Sequence, residues 1–414
     1  MPDDGRNHLD DLRGATRLAA DATKGITDLV EAVHRRITAG PLPGLAPNPL
    51  AGLIGAFAGP VFDSVRGVAS LVGAGLDLAL TRLAQQLSSA DPGPQREAVL
   101  AALNGVLGDY LAKTQNPLAL EMRLRRGGRP LTLDKASLAA AVPEAGAGLV
   151  VFVHGSSMGD LQWLRGGQTN SRASDLAAAL GDTALYLHYN SGLHVSENGR
   201  AFSALLEALV SSWPAPLGSL RLVGHSMGGL LMRSACHAAA LAGHRWPEKL
   251  RAMVMLGTPH HGAPLERAGN WVDTLLGVSS YSAPFAVLGQ IRSAGVTDLR
   301  FGNVRDEDWQ GKDRFLRGED PRVPLPLPRG VACFAIAAST AHTATSSAGS
   351  LPGDGLVPVD SALGRHLLPE RTLAFLPEHQ WTGLGMHHLD LLDRAEVWEV
   401  VAQWLREDAN AAQV

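Results

Sequence analysis

The chain has 414 residues, enough to bury a large core in one large domain with an appendage or in two domains. Its 36 basic and 40 acidic residues nearly cancel, leaving a net charge of −4, which argues against nucleic acid as the main partner. Two cysteines are too few for a disulfide framework and are expected to be buried thiols. The acidic start does not resemble a secretory signal, so a cytoplasmic protein is expected.

Residues 1–117 are predicted to form a helical region. Apolar residues recur at steps of three and four across residues 9–37, a glycine- and alanine-rich helical stretch covers residues 50–87, and a third helix begins near Pro94. Two interpretations stay open. The region either packs on the rest of the chain or on a second copy of it, giving a homo-oligomer, or it lies peripherally on a membrane or lipid surface.

From residue 118 the pattern changes to that of strands. Residues 118–133 alternate around a Gly-Gly pair, which predicts a hairpin. Short apolar runs then alternate with helical segments, and this order predicts an α/β fold with a mostly parallel central sheet across a catalytic domain at residues 118–414. The runs expected to form its strands are residues 149–153, 184–189, 220–223, 252–256, 331–337 and 372–376.

An unusually long connection separates two of these strands. Residues 264–330 are rich in aromatic side chains, and loops of this length in a compact domain are uncommon. We interpret the segment as a cap or lid insertion whose apolar side would receive part of a substrate. An ordinary surface excursion is the alternative.

The pentapeptide Gly-His-Ser-Met-Gly at residues 224–228 is the motif that indicates a catalytic serine. It follows an apolar strand and precedes a helix, as the turn that exposes a nucleophilic serine requires, and its glycines allow the strand and helix to approach closely. Ser226 is therefore the candidate nucleophile.

A nucleophilic serine needs a histidine base and a carboxylate that orients it, and folds that use this turn place the carboxylate and then the histidine after the serine. Asp354, in a Gly-Asp-Gly segment after the strand at 331–337, is the candidate carboxylate, and Asp360 is the alternative. His387 and His388 precede the expected last helix, and one of the two should face the serine.

Attack of a serine on an acyl carbonyl places negative charge on the carbonyl oxygen, and N–H donors must stabilise this oxyanion. The loop after the strand at 149–153 begins His-Gly-Ser-Ser and is expected to supply one of these donors. We predict the backbone N–H of Ser156 as the first donor and that of Met227, the residue after the nucleophile, as the second. His154 is expected to orient this loop.

These motifs resemble those of bacterial lipases and esterases of the α/β-hydrolase superfamily, including the inositol-deacylase-like serine hydrolases. The resemblance covers residues 118–408 and implies Ser226, Asp354 and His388 as a catalytic triad. Its matching segments are VFVHG, GHSMGG, LGTPHHGAP, GDGLVP and HLDLL. Some bacterial lipases bind calcium through the position of Asp390, but helix capping is the preferred interpretation here, and no cofactor or metal is expected.

The expected function is hydrolysis of a carboxylic ester, with an ester or lipid as the substrate, through an acyl-enzyme on Ser226. Acyl transfer or thioester hydrolysis by the same triad is an alternative. A lipid-surface binding protein without catalysis is a third, less favoured interpretation.

Overall fold

The computed structural model describes residue 14 and residues 94–167, 171–263, 292–313, 320–343 and 351–411. Within these residues an eight-stranded sheet has the order β2-β1-β4-β3-β5-β6-β7-β8. The strands are β1 (Arg123–Arg126), β2 (Arg129–Pro130), β3 (Gly148–Val153), β4 (Thr183–His188), β5 (Ser219–His225), β6 (Leu250–Leu256), β7 (Ala332–Ser339) and β8 (Gln380–Leu384).

Helices of 4 to 20 residues connect or flank these strands. The helices are α1 (Pro94–Lys113), α2 (Lys135–Ala141), α3 (Arg172–Leu180), α4 (Val195–Ser212), α5 (Met227–Ala242), α6 (Ala294–Asp298), α7 (Val359–Ala362) and α8 (Ala395–Ala411). The structure describes no helix that is both long enough and apolar enough to cross a membrane.

Every pairing from β4 through β3 and β5 to β8 is parallel, whereas β1 pairs antiparallel with both β2 and β4. This arrangement confirms the predicted α/β fold with a mostly parallel sheet, and it confirms the hairpin around Gly127 and Gly128. Five of the six predicted strands after the hairpin are present, with bounds shifted by one or two residues.

The central strands are buried on both faces, which explains why they appear as unbroken apolar runs. Along β3, Leu149 and Val151 belong to one apolar cluster, while Val150 and Phe152 belong to the cluster on the opposite face. Helices α4 and α5 cover the first face, and α3 and α8 cover the second. The sheet therefore forms the middle of three layers.

The last predicted strand, residues 372–376, is wrong. This segment is not a strand, and the last strand is β8, which pairs in parallel with β7. The segment is irregular, but the side chains of Leu373 and Phe375 are buried in the apolar core, and this explains the wrong prediction. Apolar side chains in an irregular connection resemble a short buried strand when only the sequence is available.

Helix α1 is buried on every side over residues 99–108 and shares the apolar cluster of β3 and β5. Its Asn104 is fully buried and links it to the segment before β1. The Asn104 amide donates to the carbonyl oxygens of Leu100 and Leu118 at 2.9 and 2.8 Å, and its Oδ1 accepts from Leu120 N at 2.9 Å. This helix was expected within a separate region ending at residue 117, and that division stays a prediction.

The predicted helices at residues 9–37 and 50–87 lie outside the described residues, apart from Gly14. So do residues 264–291 and 314–319 of the predicted cap. In the described part of the cap segment, Trp309 stacks on His194 with ring centroids 3.6 Å apart and donates from Nε1 to Ser196 Oγ. The cap interpretation stays a prediction.

If α1 folds as part of the sheet domain, Asn104→Leu should destabilise the whole domain. The substitution leaves the Leu118 carbonyl and the Leu120 N–H buried without their partner, which costs about 2–4 kcal/mol. Urea unfolding followed by circular dichroism should show a single shifted transition. Lys113→Ala, at the exposed end of the same helix, is the control. A local loss of helix with an unchanged main transition would contradict the expectation.

Candidate active site

Ser226 lies between β5 and α5 with φ 55° and ψ −123°, a conformation that residues with a Cβ rarely adopt. The glycines around it are required by contact distances. A Cβ on Gly224 would lie 2.8 Å from the backbone of Gly228, and one on Gly228 would lie 2.3 Å from the Val153 carbonyl oxygen. This is the close approach of strand and helix that the motif predicts.

The turn is held from the neighbouring strand. Ser226 N donates to the Leu256 carbonyl oxygen, at the end of β6, over 2.8 Å. Ser226 is only 2% exposed, and its Oγ has no hydrogen-bond partner among the described residues. A buried hydroxyl without a partner is uncommon, and this one lies at the first turn of a helix.

The predicted carboxylate and histidine meet across the ends of two strands. His388 Nδ1 and Asp354 Oδ2 are 2.7 Å apart, and both side chains are almost fully buried. Asp354 Oδ1 accepts from the backbone N–H groups of Leu356 and Val357 at 2.9 and 2.8 Å. A carboxylate oxygen accepts a hydrogen bond, so this contact assigns the proton of the neutral imidazole to Nδ1 of His388 and leaves Nε2 as the acceptor.

The two alternative residues lie elsewhere. Asp360 is in α7 with its side chain 63% exposed and pairs with Arg365. His387 is exposed next to the buried His388, and its backbone N–H donates to Asp390 Oδ2 over 2.7 Å. Asp390 thereby caps the short 3-10 helix His388–Leu392, as the capping interpretation expected.

Two residues near His388 have roles that the sequence analysis did not assign. The ring of His225, inside the pentapeptide, lies 4.6 Å from the His388 ring, and its Nε2 is 3.1 Å from the His388 carbonyl oxygen. Gly257 follows β6 with φ 58°, and a Cβ there would lie 3.1 Å from His388 Cε1. The Leu-Gly-Thr-Pro segment was a signal for this contact, because its glycine leaves room for the imidazole.

The loop after β3 reaches the serine. A Cβ on Gly155 would lie 3.1 Å from Ser226 Cβ, so the loop backbone packs directly against the turn. Ser156 is 1% exposed, and Ser157 has a positive φ of 58° and donates from its N–H to Ser191 Oγ. Met227 begins α5, so its backbone N–H is one of those without an intrahelical acceptor. Ser156 and Met227 are the two positions that were expected to supply donors.

His154 is a structural member of this loop. Its Nδ1 lies 2.8 Å from the Gly155 carbonyl oxygen, and its ring stacks on Tyr189, whose hydroxyl donates to the His154 carbonyl oxygen. Burial is the main cause that lowers the pKa of His154 to about 3, so the imidazole is neutral.

A cluster of the half-buried Glu97 with the buried Asp160 and His188 brings three possible metal ligands within 4.8 Å of one another. The Arg125 guanidinium contacts both carboxylates, at 2.8 Å from Glu97 Oε2 and 3.2 Å from Asp160 Oδ1. An arginine thus supplies the positive charge in this cluster, which we interpret as a structural ion pair.

The neutral His154 predicts a pH-dependent stability. Below pH 6.5 its unfolded form binds a proton that its folded form does not, so the free energy of unfolding falls as the pH falls towards 3, by about 1.4 kcal/mol per pH unit. Urea unfolding between pH 7.5 and 5.5 should show a shallower slope for His154→Asn, which retains a donor near Nδ1. The control is His387→Asn on the exposed neighbour of His388. An unchanged slope in His154→Asn would contradict a neutral, buried His154.

Residues 145–322 match the family model described as PGAP1-like alpha/beta domain. No curated protein sequence matches the chain. Among solved structures, Bacillus licheniformis lipase BlEst2 in its mature form is similar at 19% identity over 63% of this chain and 92% of that one, with a TM-score of 0.39.

Lipase 1 from Pelosinus fermentans is similar at 13% identity over 63% of this chain and 98% of that one, with a TM-score of 0.38. A Pyrobaculum calidifontis esterase is similar at 14% identity over 65% and 78% of the two chains, with a TM-score of 0.39. The family match covers β3 to β6, the strands that position Ser226 and the Gly155 loop. Residues 145–322 are therefore similar to a PGAP1-like alpha/beta domain.

Proposed function

We propose that the protein is a serine hydrolase that cleaves a carboxylic ester through Ser226, His388 and Asp354. The observation that carries the proposal is the buried contact of 2.7 Å between His388 Nδ1 and Asp354 Oδ2, in a chain that holds Ser226 at a positive φ between β5 and α5. A contact between a hydrogen-bonded carboxylate and a histidine fixes the tautomer whose Nε2 accepts a proton.

In the proposed reaction His388 Nε2 accepts the proton of Ser226 Oγ as this oxygen bonds to the acyl carbon. The tetrahedral intermediate then expels the alcohol oxygen, which takes the proton from His388, and leaves an acyl group on Ser226. In the second half of the reaction a water oxygen attacks the acyl carbon while His388 accepts a proton from that water. The intermediate then expels Ser226 Oγ, which takes the proton from His388, and the carboxylic acid is released.

The backbone N–H groups of Ser156 and Met227 would stabilise the negative oxygen of each intermediate. Met227 is bonded to Ser226, and Ser156 follows Gly155, whose backbone packs against the serine. Both residues are buried away from water. Donors that are already oriented in such a dry site stabilise a developing oxyanion far more strongly than water does.

Labelling with a fluorophosphonate tests the proposal directly, because the reagent phosphonylates only an activated serine. The wild-type protein should be labelled at one residue, and Ser226→Ala should not be labelled. Ser211→Ala, a serine at the exposed end of α4, is the matched control and should be labelled like the wild type. An unlabelled wild-type protein would contradict hydrolase activity and favour a lipid-surface binding protein.

Esters and thioesters with the same acyl chain, tested with and without an added alcohol, address the alternative reactions. Faster release from esters, with free acid as the product, is expected. Preferred cleavage of thioesters, or transfer of the acyl group to the alcohol, would support the alternatives with the same three residues.

Asp354→Asn should reduce kcat by about 10⁴-fold while changing KM little, since the amide would donate to Nδ1 and place the proton on Nε2. The magnitude is the loss that the same aspartate-to-asparagine change causes in a serine protease with this triad, and it is applied here by analogy. Measurement of kcat on a chromogenic ester is the readout.

Asp360→Asn is the matched control for this change, since it alters the exposed alternative carboxylate by the same atoms. It should leave kcat within about twofold, as for surface substitutions away from a site. A large loss in Asp360→Asn together with an active Asp354→Asn would exchange the two assignments.

A further inference from the structure

A cavity of about 310 Å³ is bounded by α5, the loop after β6 and the segments 322–326 and 370–374. Arg233, about two turns along α5 from Ser226, and His260 line it. The motifs around Ser226 give neither residue a role.

Among the described residues, Arg233 is a buried cation that forms no ion pair with a carboxylate. It is only 5% exposed, and its guanidinium donates to the Leu325 carbonyl oxygen and lies 3.4 Å from His260 Nδ1. No carboxylate in the described parts of the chain lies within ion-pair distance of it, and its Nε has no acceptor there. Burial is the main cause that lowers the pKa of Arg233 to about 10, and the charge of the nearby Arg322 is the second cause. The guanidinium is therefore still charged at neutral pH.

His260 adds a second buried donor without an acceptor. Since the arginine donates to Nδ1, the proton of the neutral ring is on Nε2, and Nε2 has no partner among the described residues. Burial, and then Arg233, lower the pKa of His260 well below its usual range, so the ring stays neutral. Two buried N–H donors of this kind are costly unless an acceptor reaches them.

The other described charges around the cavity do not neutralise Arg233. Asp320 is shared between Arg322 and Arg371, and Asp308 Oδ2 accepts from the backbone N–H groups of Val304 and Arg305. Of the described charged groups that line the cavity, three are arginines and two are carboxylates, so one positive charge remains. These groups are Arg233, Arg322 and Arg371 with Asp308 and Glu370.

We infer that this cavity binds a small oxyanion, a phosphate or a carboxylate group, through the Arg233 guanidinium and the Nε2–H of His260. A planar guanidinium and an imidazole N–H match the oxygens of such an anion, and the bound charge would neutralise the excess cation. The cavity is larger than a single phosphate, so the anion is either free or the charged end of a small organic molecule.

Calorimetric titration of the wild-type protein with inorganic phosphate, at constant ionic strength set by sodium chloride, tests the site without any measure of hydrolysis. Saturable binding of one phosphate and a rise of Tm with phosphate are expected. Arg233→Met should weaken this binding by about tenfold or more, as the loss of a charge-assisted contact does, and its Tm should not respond to phosphate.

Arg245→Met is the matched control, since Arg245 is an exposed arginine just after the same helix, and it should bind phosphate like the wild type. Arg233→Lys retains the charge without the planar fork and should bind more weakly than the wild type, which gives a second variant if Arg233→Met does not fold.

Titration with glycerol 3-phosphate and with acetate distinguishes the two sources of the anion. Tighter binding of glycerol 3-phosphate than of phosphate supports an organic ligand, and equal or tighter binding of phosphate or acetate supports a free anion. Absence of saturable binding of all three by the wild-type protein overturns the inference. Equal binding by the wild type and Arg233→Met overturns it as well.

Discussion

The positive φ of Ser226 is the constraint on which the rest of the site depends. A residue with a Cβ in this conformation costs about 1–3 kcal/mol and persists only where its surroundings fix it. Three contacts do so here. Ser226 N donates to Leu256 at the end of β6, Gly228 packs under the Val153 carbonyl, and Gly229 packs against Thr258. The contacts that hold Ser226 thus come from three adjacent parallel strands, β3, β5 and β6. The conformation of this one residue depends on the pairing of all three strands.

The same sheet explains how residues distant in the chain come together. Parallel strands bring all their carboxyl ends to one edge, so the segments after β5, β7 and β8 meet there. Asp354 follows β7 and His388 follows β8, and their contact spans 34 positions of the sequence. His225 closes the arrangement from the serine side, because its Nε2 lies at the His388 carbonyl while its own backbone is in β5. The His388 residue is thus contacted by His225 of β5 and by Asp354, which follows β7, and these two strands are not neighbours in the sheet.

Much of this architecture could be predicted from the sequence, because buried parallel strands and a glycine-lined turn leave strong local patterns. The strands before residue 340 were found for this reason. Strand β8 was missed because it is an edge strand whose Gln380, Trp381 and Thr382 are only half-buried, while the irregular segment before it buries Leu373 and Phe375. The assignment of Ser156 and Met227 as oxyanion donors stays a prediction. Arg233 could not be found, since an arginine in a helix is usually exposed, and only the tertiary structure buries this one.

The buried Arg233 also bears on the position of Ser226. Helix α5 begins at the strained Ser226, so any rotation of the helix would change the direction of the serine hydroxyl. Close packing on all sides of its first turns resists such a rotation, and a hydrogen bond adds a directional contact to that packing. Arg233 donates to the Leu325 carbonyl and thereby links the middle of α5 to the segment that leads into β7. The guanidinium thus adds one directional contact to the packing of α5, and an anion bound to it would strengthen the support of a turn that lies two helical turns away.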